Sequence, residues 1–199
     1  MEYLEWVANA FFVVSVMLAA RNNVNTWWVG IVGCILFSVL FYKVQLYADV
    51  TLMIFFMMTS IYGWTYWGKN QGKSHPIQRT NPVRLGLFSI AAILATFGYG
   101  GLLLNTTDAY APFVDSFVLM FSVLGQFLLM NRRIETWVCW LIVDTVAVPL
   151  YASRELYLTS IVYAIFWCNA WYGFYIWLKI YKKEQAGEKA WETRLTAED

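Results

Sequence analysis

Seven apolar stretches follow one another along the chain, at about 4–20, 26–42, 48–67, 84–104, 113–130, 136–152 and 156–178. Polar breaks separate them, the clearest being Arg21-Asn22-Asn23, the segment from Lys69 to Arg84, and Asn131-Arg132-Arg133. Within each stretch the apolar residues are continuous rather than alternating, which argues against the strands of a membrane barrel. Several stretches are close to the roughly 17 residues that a helix needs to cross a hydrocarbon core of about 30 Å. Backbone groups in lipid have no water to bond, so such runs must close their hydrogen bonds internally, as helices. The pattern predicts an all-α integral membrane protein with seven transmembrane helices.

Sliding the chain by 110 residues without gaps aligns it with itself. Thr26-Trp27 falls on Thr136-Trp137, Leu40 on Leu150, Leu46-Tyr47 on Leu156-Tyr157, and Phe56 on Phe166. Tyr62-Gly63 falls on Tyr172-Gly173, Trp67 on Trp177, and Lys69 on Lys179. Three helices are an odd number, so two directly joined repeats would be inverted. The extra run at 84–104 restores the orientation and predicts a 3+1+3 arrangement of parallel repeats. The chain then divides into a first three-helix repeat at 1–68, a cytoplasmic loop at 69–83 and a linker helix at 84–104. A second three-helix repeat at 105–179 and a cytoplasmic tail at 180–199, solvated and disordered, complete it. Parallel repeats about an axis along the membrane normal are a transporter architecture, with the substrate near the midplane between them.

Composition agrees with lipid as the solvent: 60% of residues are hydrophobic, 19% aromatic and only 14% charged. A net charge of +1 with no basic stripe outside the inner segments argues against nucleic acid. The positive-inside rule sets the orientation. With the N-terminus outside, the inner segments hold Arg21, Lys69, Lys73, Arg79, Arg84, Arg132 and Arg133, and the tail adds Lys179, Lys182, Lys183, Lys189 and Arg194. Only Lys43 and Arg154 then lie outside. Glu2 and Glu5 precede the first apolar run with no Lys or Arg, the wrong polarity for a cleavable signal peptide, so the first helix is expected to stay. Cys34, Cys139 and Cys168 all lie in apolar stretches without metal-ligand spacing and read as buried, inert thiols.

Asp144 is the one ionisable residue well inside a span. An Asp at helix centre costs about 2.5–3.5 kcal/mol on insertion scales, so it must face the protein interior or a cavity. It reads either as a counter-charge for substrate or as a structural hydrogen bond between helices. Pro149, five residues on, frees the carbonyl of Thr145, which a ligand or a neighbouring helix could take. Gln126 and Asn169 lie at comparable depth, and each alone is commonly helix–helix glue. Their 110-residue equivalents, with that of Asp144, are Val16, Thr59 and Cys34, so the hydrogen-bonding wall is expected in the second repeat. Ser60, Trp64 and Trp67 share one face of the third helix, and Trp137, Trp140 and Asp144 share a stripe on the sixth. Trp67 and Trp177 also fit an interfacial belt near the inner helix ends. Tyr163 and Tyr172 flank Asn169. Aromatic planes with one acid and two amides suit a flat, heteroaromatic, cationic solute. A phosphorylated one calls for Arg or Lys, and none lies at the midplane.

The stretch Ile61-Tyr62-Gly63-Trp64-Thr65-Tyr66-Trp67 after Gln45-Leu46-Tyr47-Ala48 resembles the PnuC family of bacterial vitamin transporters. Glu135-Thr136-Trp137, Trp140, Asp144, Leu156-Tyr157, Tyr163 and Asn169 extend the resemblance over residues 1 to about 180. It implies a SWEET-like fold, usually a homotrimer in the bacterial inner membrane, that passes nicotinamide riboside, thiamine or riboflavin by facilitated diffusion with trapping by a cytoplasmic kinase. The family's binding positions would fall on Trp64, Trp67, Gln126, Asp144, Tyr163 and Asn169. Some nicotinamide riboside members would carry Asn at the position of Asp144, and an acid there suits a pyridinium or a thiazolium. With Trp140 and Tyr172 added from their spacing, these eight residues are the expected substrate site. The lone His75 beside Pro76 completes no catalytic grouping. The chain is therefore read as a transporter and not an enzyme, with no cofactor or metal.

Overall fold

The computed structural model describes residues 2–43, 47–68, 76–106, 111–153, 155 and 157–198, apart from the side chains of 2, 47–49, 51 and 188–198. Seven helices make up nearly all of it: α1 (Glu2–Ala20), α2 (Asn25–Lys43), α3 (Tyr47–Gly68), α4 (Pro82–Thr106), α5 (Pro112–Met130), α6 (Thr136–Ser153) and α7 (Tyr157–Glu198). Six of them are long and apolar enough to cross a membrane. The exception is α3, whose last turns are crowded with Tyr and Trp. His75, Gln45, Leu46, Arg154, Leu156 and the first part of the 69–83 loop lie outside the described residues.

Two expectations change. Residues 180–198 are not a disordered tail but continue α7, which is 42 residues long. That stretch is rich in Lys, Glu, Gln and Ala, strong helix formers, and contains no proline. Cys168 is exposed on the surface of α7, while Cys34 and Cys139 are buried, and all three are free thiols.

Helices α1–α2–α3 pack in sequence, as do α5–α6–α7. The two sets meet where α1 touches α7 and α3 touches α5, and among the described elements α4 packs on α5 alone. Contacts recur at positions 110 apart. Asn22 and Arg132 both have φ of 53°. Each sits in a turn where its own N–H reaches back to Ala19 or Leu129, and the next N–H to Leu18 or Leu128. This is the glycine-type helix ending, made here by residues that tolerate the left-handed region poorly, Asn excepted. The Thr26 hydroxyl donates to the Ser15 carbonyl at 2.8 Å, and the Thr136 hydroxyl to the Gly125 carbonyl at 2.8 Å. Trp27 lies against Gly63 and Trp137 against Gly173, close enough that a Cβ on either glycine would meet ring carbons at 2.6–2.7 Å.

One end of the bundle is covered by a strap, residues 76–81. Gln78 pairs with the α5–α6 turn, donating to the Arg132 carbonyl and accepting from Ile134 N–H, each at 3.1 Å. The Ile77 side chain is buried, and its N–H donates to Glu184 Oε2 at 3.0 Å. Thr80 donates its N–H and hydroxyl to Glu135 Oε2 at 3.0 and 2.9 Å. Arg132 lies over the Trp67 ring, 5.1 Å from its centroid, and donates to Asn22 Oδ1 at 2.9 Å. Burial lowers its pKa, and the Glu184 carboxylate opposes that shift. Hydrogen bonds to a charged acceptor contribute about 1.5–3 kcal/mol each. Glu135→Ala should therefore loosen the strap and speed tryptic cleavage at the exposed Arg79 by at least about tenfold, read by limited proteolysis in detergent.

Candidate functional site

A cavity of about 990 Å³ lies between the two helix sets. It runs from the first turns of α1 and α5, at Glu5 and Asp115, to a floor formed by Trp27 and Trp137. Beneath the floor stand Trp67 and Trp177, so four indoles form one layer. Trp27 meets Trp67 edge-on with centroids 5.1 Å apart, and Trp137 meets Trp177 edge-on at 5.5 Å. Trp67 and Trp177 touch each other at 5.8 Å. Each of that inner pair also crosses to the other helix set, Trp67 Nε1 donating to the Met130 carbonyl at 3.2 Å and Trp177 Nε1 to the Ala19 carbonyl at 3.1 Å. Both are almost fully buried inside the protein, which corrects their reading as interfacial belt residues.

The side walls are largely aromatic: Phe12 from α1, Phe37 and Phe41 from α2, Phe55 and Phe56 from α3, Trp140 and Tyr151 from α6, Tyr163 and Phe166 from α7. Tyr151 and Tyr163 pair with ring centroids 4.9 Å apart. Among these planes sits Asp144, 2% exposed, lining the cavity. None of the hydrogen bonds or ion pairs among the described residues engages its carboxylate. Gln126, also buried, lines the same space and donates through Nε2 to Thr59 Oγ1 at 3.3 Å, leaving its carbonyl oxygen for a ligand.

Four of the eight expected site residues therefore reach the cavity: Gln126, Trp140, Asp144 and Tyr163. The other four do not. Trp67 lies behind the floor. Trp64 and Tyr172 are each 46% exposed on the outside of the bundle, turned there because Gly63 and Gly173 take the inward position against the Trp27 and Trp137 rings. Asn169 ties α7 to α1, its amide donating to the Val16 carbonyl at 3.1 Å, which is the helix-glue role. Around Pro149 neighbouring α7 supplies partners: Ser160 donates to the Val148 carbonyl at 2.9 Å and Trp167 Nε1 to Thr145 Oγ1 at 3.0 Å.

The first helix set is less apolar than its sequence implies. Ser60 is buried and lines the cavity, as do Ser15 and Thr26, which bond each other across α1 and α2. The spacing of Ser60 with Trp64 pointed to the right helix, but the packing turned its inward face by one position.

The sequence pattern of the nicotinamide mononucleotide transporter family matches residues 2–179. The chain belongs to that family. It is a multi-pass membrane transporter, and the family is one of transporters rather than enzymes. The nicotinamide riboside transporter PnuC of Escherichia coli (strain K12) is 23% identical, over 89% of this chain and 86% of that protein. The riboflavin/roseoflavin transporter RibM of Streptomyces davaonensis is 22% identical, over 87% of this chain and 83% of its own. A crystal structure of the vitamin B3 transporter PnuC shares the fold, with a TM-score of 0.73 and 21% identity over 91% of this chain and 83% of that one.

Proposed function

We propose that this transporter carries nicotinamide riboside into the cytoplasm by facilitated diffusion, with thiamine the second and riboflavin the third candidate. The observation that carries the reading is the buried carboxylate of Asp144, unpartnered among the described residues, on a wall of aromatic rings. A pyridinium or thiazolium supplies the counter-charge that the protein leaves out, and the rings stack on its plane. Among the described residues no Lys, Arg or His lines the cavity, so an unphosphorylated nucleoside fits better than a mononucleotide. The likeness to RibM supports riboflavin as the neutral alternative.

The recurrence of contacts 110 residues apart supports the 3+1+3 arrangement of parallel repeats, with α4 as the linker. The basic residues of the strap and of the α5–α6 turn support an orientation with the Trp-floored end in the cytoplasm and the N-terminus outside, in a bacterial inner membrane. In this reading the protein works as a homotrimer.

The decisive experiment titrates purified protein with nicotinamide riboside, thiamine and riboflavin in parallel. Tight binding of nicotinamide riboside alone bears the proposal out, and a preference for either of the others replaces it. Uptake into sealed liposomes should need neither a proton nor a sodium gradient. Strict dependence on one would make Asp144 a coupling group and overturn uniport. A protein that binds ligand yet gives no flux would be a receptor.

A further inference from the structure

Hydrogen bonds between the two helix sets fall into two groups among the described residues. Asn169 to Val16 and Gln126 to Thr59 join the sets beside the cavity. A second group closes the tryptophan-floored end. There Trp67 Nε1 reaches the Met130 carbonyl, Trp177 Nε1 the Ala19 carbonyl, and the Arg132 guanidinium the Asn22 side chain. Of these described bonds, only the last carries a formal charge. Its two residues occupy equivalent positions 110 apart, in the α1–α2 and α5–α6 turns, and both have φ of 53°. The guanidinium also lies over the Trp67 ring of the first set, 5.1 Å from its centroid. The strap is anchored on the second set, through the α5–α6 turn and Glu184 of α7, and Glu184 acts on the guanidinium as an opposite charge. Parting from Asn22 therefore leaves Arg132 with a carboxylate in its own helix set rather than bare. Its Nε is buried and unbonded among the described residues, so the present seat does not use every donor that the side chain has.

We infer that Arg132 and Asn22 form the latch of a gate at the tryptophan-floored end, a bond that holds the cavity closed there and parts in each transport cycle. A solute can pass this end only when the two sets separate, because indoles from both sets fill it. A hydrogen bond to a charged group shifts an equilibrium by roughly ten- to a hundredfold, more than a neutral indole bond does. The latch thus sets how often the closed end opens. It acts on the empty protein, so its test needs no substrate. Glycine adopts the left-handed backbone of either turn at no cost, so each side chain can be removed without straining its turn.

The test places one cysteine on the cavity wall, Ser122→Cys, in protein whose Cys34, Cys139 and Cys168 are changed to alanine. Ser60→Cys serves as the second reporter. In sealed vesicles a membrane-impermeant thiol reagent is applied from one side or the other, with sidedness fixed by trypsin access to the strap at exposed Arg79. With the latch intact, labelling should come from the side opposite the strap. Asn22→Gly and Arg132→Gly should raise the strap-side rate by at least about tenfold without raising the rate from the other side. Asn22→Asp tolerates the same backbone and meets the guanidinium with a carboxylate, so it should lower the strap-side rate by roughly threefold or more. Unchanged strap-side labelling in the glycine variants overturns the inference. Equal gains from both sides also overturn it, and would make Arg132 a structural tie. If the glycine variants do not fold, Asn22→Asp decides: strap-side labelling that is not slowed overturns the latch.

Discussion

Replacing Asp144 with alanine should weaken binding of nicotinamide riboside or thiamine by at least about a hundredfold while the folded protein keeps or gains thermal stability. A buried carboxylate without a partner is costly to the empty protein, because it gives up hydration and receives nothing in return. Removing it relieves that cost, so the empty variant should melt no lower than the wild type. The bound state changes in the opposite direction. A cationic ring left in the cavity without its counter-charge forfeits an interaction whose loss in buried pairs costs about 3–5 kcal/mol. Isothermal titration and thermal unfolding of the same sample separate the two effects. Asp144→Asn keeps the shape and hydrogen-bonding capacity but not the charge, and should retain any binding of neutral riboflavin. Unchanged affinity for the cations in either variant would sink the counter-charge role. A large drop in melting temperature would instead make Asp144 a structural bond.

The second large effect is expected at Gly63 and Gly173. In an exposed helix, Gly→Ala stabilises by roughly 1 kcal/mol. Here the new methyl would stand 2.6–2.7 Å from carbons of the Trp27 or Trp137 ring. Trp67 and Trp177 meet these rings edge-on at centroid distances of 5.1 and 5.5 Å, so a displaced ring must disturb the indole layer or move into the cavity. Overpacking of this kind costs about 1–3 kcal/mol or more. Gly63→Ala and Gly173→Ala should thus each lower the unfolding midpoint and, by shifting the cavity floor, weaken substrate binding. Gly98→Ala is the contrasting case, since nothing lies within 4 Å of its added Cβ, and it should be neutral or mildly stabilising. Equal stability of all three variants would show that the indole layer is loosely packed.

How much was readable in advance follows from what lipid does and does not penalise. Helix positions were legible because hydrocarbon forbids an open backbone: the runs at 26–42 and 136–152 became Asn25–Lys43 and Thr136–Ser153. The extension of α7 was not, since its charged residues carry no membrane signal, only helix propensity. Within the site, Asp144 and Gln126 were legible because a polar side chain at depth must be hidden. Trp64 and Tyr172 were not placed correctly, since an aromatic ring is as comfortable against lipid as against protein. A helix surrounded by apolar material on both sides gives almost no rotational signal. The inward face of α3 was fixed instead by a missing side chain, Gly63, where Trp27 enters.

Helix α4 packs on α5 and on no other described helix. Any motion that tilts α1–α3 against α5–α7 can therefore proceed without breaking an α4 contact in the first set. By its contacts α4 belongs with α5–α7, the set that carries Asp144, and a tilt of α1–α3 against that set would leave the α4–α5 packing intact.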